Sequence, residues 1–164
     1  MCSRISVFKK IAIASDHGGF ELKEQLKNYI LKYGVDVLDL GTDNESSVDY
    51  PDFGAAAGIA VADGEADGAI VICGSGIGIS ISANKIPGIR AALCWDTYTA
   101  KMSRMHNDSN VLALGGRVIT FDRAVDMVDL WLTTPFDGGR HQKRIDKLDR
   151  LAAERWRKYL SEEK

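Results

Sequence analysis

Five short apolar runs, each followed by a longer stretch of helical period, constrain this chain more than any other feature. The runs lie at 10–15 (KIAIAS), 35–39 (VDVLD), 69–73 (AIVIC), 89–93 (IRAAL) and 111–114 (VLAL). Runs this short, nearly uniform in hydrophobicity and bounded by turn residues, fit strands covered on both faces. Between them, 20–33 places Leu22, Leu26, Tyr29, Ile30 and Tyr33 on one helical face, with Gly34 positioned as a C-terminal cap. A helix over 50–62 opens with Pro51 near its first position and is rich in alanine. A helix-like ISISANK follows the third run, and Asp96 is placed to cap a helix reaching about His106. The segment 120–133 carries Ala124, Met127, Val128, Leu130 and Trp131 on a broad apolar face. A long terminal helix over 140–161 carries Ile145, Leu148, Leu151, Ala152, Trp156, Tyr159 and Leu160.

Strand followed by helix five times predicts an α/β fold: a doubly wound, Rossmann-like, five-stranded parallel sheet with helices on both faces and a long C-terminal helix. With 164 residues and no repeat, low-complexity tract or linker, residues 1–164 read as one domain. Residues 1–9 form an N-terminal extension without an assigned role. A net charge of −2 gives no reason to expect nucleic acid or an anionic membrane as partner. The five-residue apolar stretch before Asp16 is too short for a signal-peptide core, and no run is long enough to span a membrane. Cys2, Cys73 and Cys94 are odd in number and widely spaced. That argues against a disulfide framework or a zinc site and for a reducing, cytoplasmic setting.

In open parallel sheets ligands bind beyond the carboxyl ends of the strands. Asp16, His17, Tyr50, the stretch 73–78 and Arg117 all fall there. The stretch CGSGIG places Gly74, Gly76 and Gly78 where backbone N–H groups can converge on an anion. A dinucleotide fingerprint would need glycine where Ile79 stands, and no P-loop lysine follows. A strand-end cysteine is often only a small hydrophobe. A thiol at a helix N-terminus, however, has its thiolate favoured, and a thiolate beside backbone donors could take a proton from carbon and hold the oxyanion that results. Asp16 could equally cap the next helix. His106 could equally be a cation placed at a helix C-terminus. That helix end lies opposite the catalytic edge of a βαβ unit, so His106 would reach Cys73 from a neighbouring subunit. Arg140 and Arg144 share a helical face; they make either a solvated basic surface or, with Arg117, a phosphate clamp.

Six motifs in fixed order carry a resemblance: SDHGGF (15–20), DYPDF (49–53), ICGSGIGISISANK (72–85), GIRAALCW (88–95), SRMHNDSNVLALGGRV (103–118) and GGRHQKR (138–144). Over about 10–149 the chain resembles the sugar-phosphate isomerase family of ribose-5-phosphate isomerase B and the galactose-6-phosphate isomerase subunits. The resemblance implies interconversion of D-ribose 5-phosphate and D-ribulose 5-phosphate, a step of the non-oxidative pentose phosphate pathway, without metal or organic cofactor. Cys73 matches the base that moves a proton between C2 and C1 through an enediolate. The turn of Gly74, Ser75, Gly76, Ile77 and Gly78 matches the oxyanion holder, with Ser75 where many members have threonine. His106 matches the acid that opens the furanose ring, and Asp16 lies where the family assists that step. His17, Asn107, Arg117, Arg140 and Arg144 match positions for substrate hydroxyls or phosphate, and Tyr50 matches a residue flanking the sugar. One branch replaces the cysteine by a glutamate after the turn; here that position is Ile79. Members are homodimers or homotetramers with sites at the subunit interface, which gives the 140–161 helix a partner. A hexose 6-phosphate (galactose or allose) is the alternative substrate, and a non-catalytic phosphate- or nucleotide-binding domain is the remote alternative.

Overall fold

The structure is a computed structural model, and it describes residues 5–162. Cys2 and the first four residues of the N-terminal extension therefore lie outside the described residues. The expected alternation is present throughout. Strands β1 (Lys10–Ser15), β2 (Asp36–Asp39), β3 (Gly68–Cys73), β4 (Ala91–Leu93) and β5 (Val111–Gly115) form one sheet in the order β2-β1-β3-β5-β4. All four pairings are parallel. The helices are α1 (Phe20–Ile30), α2 (Tyr50–Ala62), α3 (Ile77–Ala83), α4 (Thr97–Asn107), α5 (Phe121–Thr133) and α6 (Arg140–Glu162).

Side-chain alternation along the central strands gives the sheet two different faces. Ile11, Ile13, Ile70, Ile72, Leu112 and Leu114 point to the side covered by α1, α4 and α5, where they pack with Leu26, Met127 and Trp131. Ala12, Ala14, Ala69, Val71, Cys73 and Ala113 point to the side of α2 and α3. Small strand residues let α2 come close, and α2 answers with small residues of its own: a Cβ on Gly54 would sit 2.8 Å from the Ile79 carbonyl oxygen. Every core helix except α2 and α3 lies on the first side. The chain therefore leaves β3 toward one face while it leaves β1 and β5 toward the other. That divergence opens a crevice at the carboxyl end of β3.

Among the boundaries that differ from expectation, three have evident local reasons. The first helix tightens into a 3₁₀ turn over Leu31–Tyr33 before Gly34, whose φ of 69° closes it. Helix α3 starts two residues before ISISANK, because Gly76 in the left-handed region ends the turn there. Strand β4 starts at Ala91, not 89, since the Ile89 amide turns back to the Ile86 carbonyl and the Arg90 amide donates to the Asn110 side chain. Asp96 caps α4 as expected, accepting from the Thr99 amide at 2.7 Å.

Candidate active site

The expected residues fall into two groups. The first surrounds Cys73, the last residue of β3 in register, paired across the sheet with Gly115. The Gly76 amide donates to Cys73 Sγ at 3.2 Å, and the Ile77 amide donates to Ser75 Oγ at 3.3 Å. Among the described residues, the Gly74, Ser75 and Gly78 amides meet no protein acceptor, and they remain free to hold an anion over the turn. Gly76 itself needs to be glycine: its φ is +78°, and a Cβ would lie 2.6 Å from Leu93 Cδ1 and 2.8 Å from the Leu114 carbonyl carbon. Ile79 is buried in the core under the sheet, so no carboxylate replaces the thiol.

Three loops are pressed together around this turn. Gly18 approaches Gly74, Gly19 approaches the Ile72 carbonyl, and Gly116 approaches the Gly18 carbonyl, each with a hypothetical Cβ under 3 Å from backbone. Asp16 is buried, and its Oδ1 accepts from the Gly18 amide at 2.9 Å, an Asx turn rather than a helix cap. His17 Nδ1 accepts from the Val48 amide at 3.2 Å, which leaves Nε2 as the nitrogen that carries the proton. The Arg117 amide donates to the Gly74 carbonyl at 3.0 Å, and its side chain runs past Gly74. His17 and Arg117 line a cavity of about 400 Å³ with Glu21, Gln25 and Glu45. The Tyr50 ring lies against Gly78, so its first-turn position on α2 walls the same region.

The second group sits at the other edge of the sheet. His106 and Asn107 end α4, which starts next to the carboxyl end of β4 and runs back about 16 Å over its eleven residues. The His106 ring stacks on His141 with centroids 4.2 Å apart and planes 5° from parallel. His141 follows Arg140, at the start of α6; Arg144 is one turn on, and both arginines are exposed. The loop leading to α6 is pinned to α4 by the Asp137 amide, which donates to the Met105 carbonyl at 3.1 Å. Burial, together with the charges of His106, Arg140 and Arg144, lowers the His141 pKa from its ordinary value. Arg140 and Arg144 thus lie with the second group, whereas Arg117 lies with the first.

Sequence spacing contains no metal-ligand set, yet the fold brings His106, Asp137 and His141 within 4.8 Å of one another. Parallel stacked rings aim their nitrogens side by side instead of at a common point, and Arg140 Nε points at His141 Nε2 from 3.4 Å. The Arg140 guanidinium beside His141 disfavours a cation there. Sequence reasoning does not single out His141 or Asp137; GGRHQKR contains His141 but begins one residue after Asp137. A cavity of about 750 Å³ lies elsewhere, between residues 84–92 and the α6 side chains Leu148 and Trp156, and of the expected site residues it touches only Asn107. Burial pushes the Cys94 thiol up to about 11 and so marks it as packing. No helix among the described residues is long and apolar enough to cross a membrane.

Comparison with known proteins agrees with this architecture. The Ribose/Galactose Isomerase family profile matches residues 11–148. The chain is 47% identical over 147 residues to ribose-5-phosphate isomerase B of Escherichia coli strain K12, covering 90% of this chain and 99% of that protein. The solved structure of Clostridium thermocellum ribose-5-phosphate isomerase B superposes with a TM-score of 0.87 at 54% identity, over 88% of this chain and 98% of that one. The Mycoplasma genitalium ribose-5-phosphate isomerase B, solved with bound ribulose 5-phosphate, gives 0.84 at 39% identity, over 88% and 97%. A match that takes in both groups of residues, the β3 turn and the start of α6 alike, means that the chain belongs to the Ribose/Galactose Isomerase family.

Proposed function

We propose that the chain is an aldose–ketose isomerase that interconverts D-ribose 5-phosphate and D-ribulose 5-phosphate, with Cys73 as the base. The observation that carries this reading is the Gly76 N–H aimed at Cys73 Sγ within a turn whose Gly74, Ser75 and Gly78 amides meet no acceptor among the described residues. A thiol fixed this way at the strand end is placed to receive a proton from a substrate carbon, and donors next to it are positioned for the charge that creates. In the aldose direction His106 protonates the ring oxygen while Asp16 takes the proton from the C1 hydroxyl, and the C1–O ring bond breaks. Cys73 then takes the C2 proton. The electron pair moves into the C1–C2 bond and onto O1, an enediolate held by the amides of the turn with Ser75. Return of the proton to C1 and transfer of the O2 proton to O1 give the ketose. His17 and Asn107 bind hydroxyls, Tyr50 flanks the sugar, and Arg117, Arg140 and Arg144 neutralise the phosphate. The chemistry asks for no metal or organic cofactor.

The two groups belong to one site only if a second copy supplies the second. We therefore read residues 1–164 as one domain working as a homodimer or homotetramer, with the 140–161 helix in the contact. Leu148, Leu151, Trp156, Tyr159 and Leu160 are each about half exposed along that helix and support this reading. A base that is a free thiol fits the reducing cytoplasm.

The test is a coupled assay of purified protein on ribose 5-phosphate, with allose and galactose 6-phosphates alongside and a Cys73→Ala control. Turnover on ribose 5-phosphate that falls about 1,000-fold in the variant, with phosphosugar binding kept, is expected. Preference for a hexose 6-phosphate would reassign the substrate. Near-normal turnover of Cys73→Ala would remove the base, and mononucleotide binding without any isomerisation would favour a non-catalytic domain.

A further inference from the structure

The end of α4 carries both His106 and Asn107, and it is held by side chains to which the reaction above gives no part. Asp108 follows at φ 44° and ψ 47°, the one non-glycine residue with positive φ among the described residues. Its carboxylate bridges two guanidiniums. Arg104 Nη1 donates to Oδ1 at 2.8 Å, and Arg90 Nη2 donates to Oδ2 at 3.1 Å. Arg90 Nε also donates to the carbonyls of Asn107 at 3.0 Å and Asp108 at 3.1 Å, while Nη2 reaches the latter at 3.0 Å. Arg104 Nη1 donates to the Ser109 carbonyl at 2.6 Å. Both arginines are themselves fixed. The Arg104 guanidinium is buried, 4.9 Å from the Phe8 ring centre and 5.9 Å from that of Trp131. The Arg90 amide is tied to Asn110 Oδ1 at 2.8 Å.

Capping alone would not ask for this. Basic groups near a helix C-terminus are favourable, but glycine ends a helix in the left-handed region without strain. A strained aspartate is worth keeping where its carboxylate matters, and strain of this kind gathers at functional sites. The carboxylate joins α4 to the segment before β4, so the last turn of α4 cannot rotate without breaking charge-assisted bonds to both.

We infer that Arg90, Asp108 and Arg104 form a positioning clamp that sets the last turn of α4 and holds His106 against His141. The inference rests on the reading of His106 as the ring-opening acid. The clamp touches no substrate; it acts through His106.

That division gives the experiment. Ribose 5-phosphate is cyclic and must be opened, whereas ribulose 5-phosphate is an acyclic ketose whose C1 hydrogen can exchange with solvent by proton transfer alone. Asp108→Asn keeps a residue tolerant of the left-handed region but cannot bridge two cations, and Asp108→Gly keeps the turn without strain. Both variants should lose about 10- to 100-fold in kcat on ribose 5-phosphate, with KM changed by about 2-fold or less and solvent exchange at C1 of ribulose 5-phosphate by about 3-fold or less. Arg90→Gln should behave in the same way, and Arg90→Lys should recover part of the loss. Thermal unfolding measured alongside separates folding from chemistry. Equal losses in the two assays, losses that follow the folded fraction, or full activity in Asp108→Gly would each overturn the clamp. If the Asp108 variants do not fold, the same comparison on Arg90→Gln and Arg90→Lys decides. A wild-type protein with neither isomerisation nor exchange would instead overturn the proposed function.

Discussion

The two edges of the sheet are built by different means. At the carboxyl edge the geometry belongs to the backbone: three loops meet with no room for a Cβ on Gly18, Gly19, Gly76 or Gly116, and the polar contacts to Cys73 and Asp16 come from amides. At the amino edge the geometry belongs to side chains: stacked imidazoles, an aspartate between two arginines, and two further arginines exposed on α6. A backbone-built half holds a small developing charge at a fixed point. A half built from side chains leaves its groups open to be covered. The difference teaches which half can be altered residue by residue and which fails as a unit.

The largest expected effect comes from separating the halves onto different chains. Cys73→Ala and His106→Gln should each be nearly inactive alone. Refolded together in equal amounts, they should regain about a quarter of wild-type turnover, because half of the dimers are mixed and each mixed dimer has one intact site. No recovery on mixing would mean that both halves serve one copy.

Gly76→Ala should be the next in size. It forces φ +78° on a residue with a Cβ and presses that atom on Leu93 and Leu114. A loss of about 3 kcal/mol by denaturant unfolding, with turnover lost as well, is expected. Unchanged stability would show that the carboxyl edge has slack.

Arg144→Ala at the other edge should be milder, raising KM for ribose 5-phosphate about 10-fold with little change in kcat, since phosphate is held in ground and transition states alike. A kcat effect without a KM effect would remove Arg144 from the phosphate. The smallest effect concerns His141. Its pKa is lowered on folding, so the unfolded chain binds more protons near neutrality, and stability should fall as pH drops from about 7 through the ordinary histidine value of about 6.5. His141→Gln should flatten that part of the Tm against pH curve, and an unchanged slope would assign it to other groups.

The backbone-built half was the more legible one in the sequence. Its parts are contiguous or follow strand ends, so apolar runs ending in CGSGIG, SDHGG and GGR already place Cys73, Asp16 and Arg117 on one edge. Even there the order β2-β1-β3-β5-β4, which makes the exit of β3 differ from its neighbours, depends on long-range packing of isoleucine and alanine faces. The side-chain half is less legible: the helix end at His106 and the shared face of Arg140 and Arg144 offer candidates with structural alternatives, and only the resemblance gives them roles. His106 and His141 are 35 residues apart, and Arg90 and Asp108 are 18 apart. No local periodicity links such pairs; they meet because β4, α4 and the start of α6 return to the same edge. Strand boundaries slipped where a side chain took over a ladder bond, as Asn110 does for Arg90.

The opposed edges also have a kinetic consequence. If a copy cannot complete its own site, turnover becomes a measure of association, and the law of mass action enters the rate. Well above the dissociation constant of the assembly, velocity is first order in protein. Far below it, velocity turns second order, and specific activity falls with dilution although every chain remains folded.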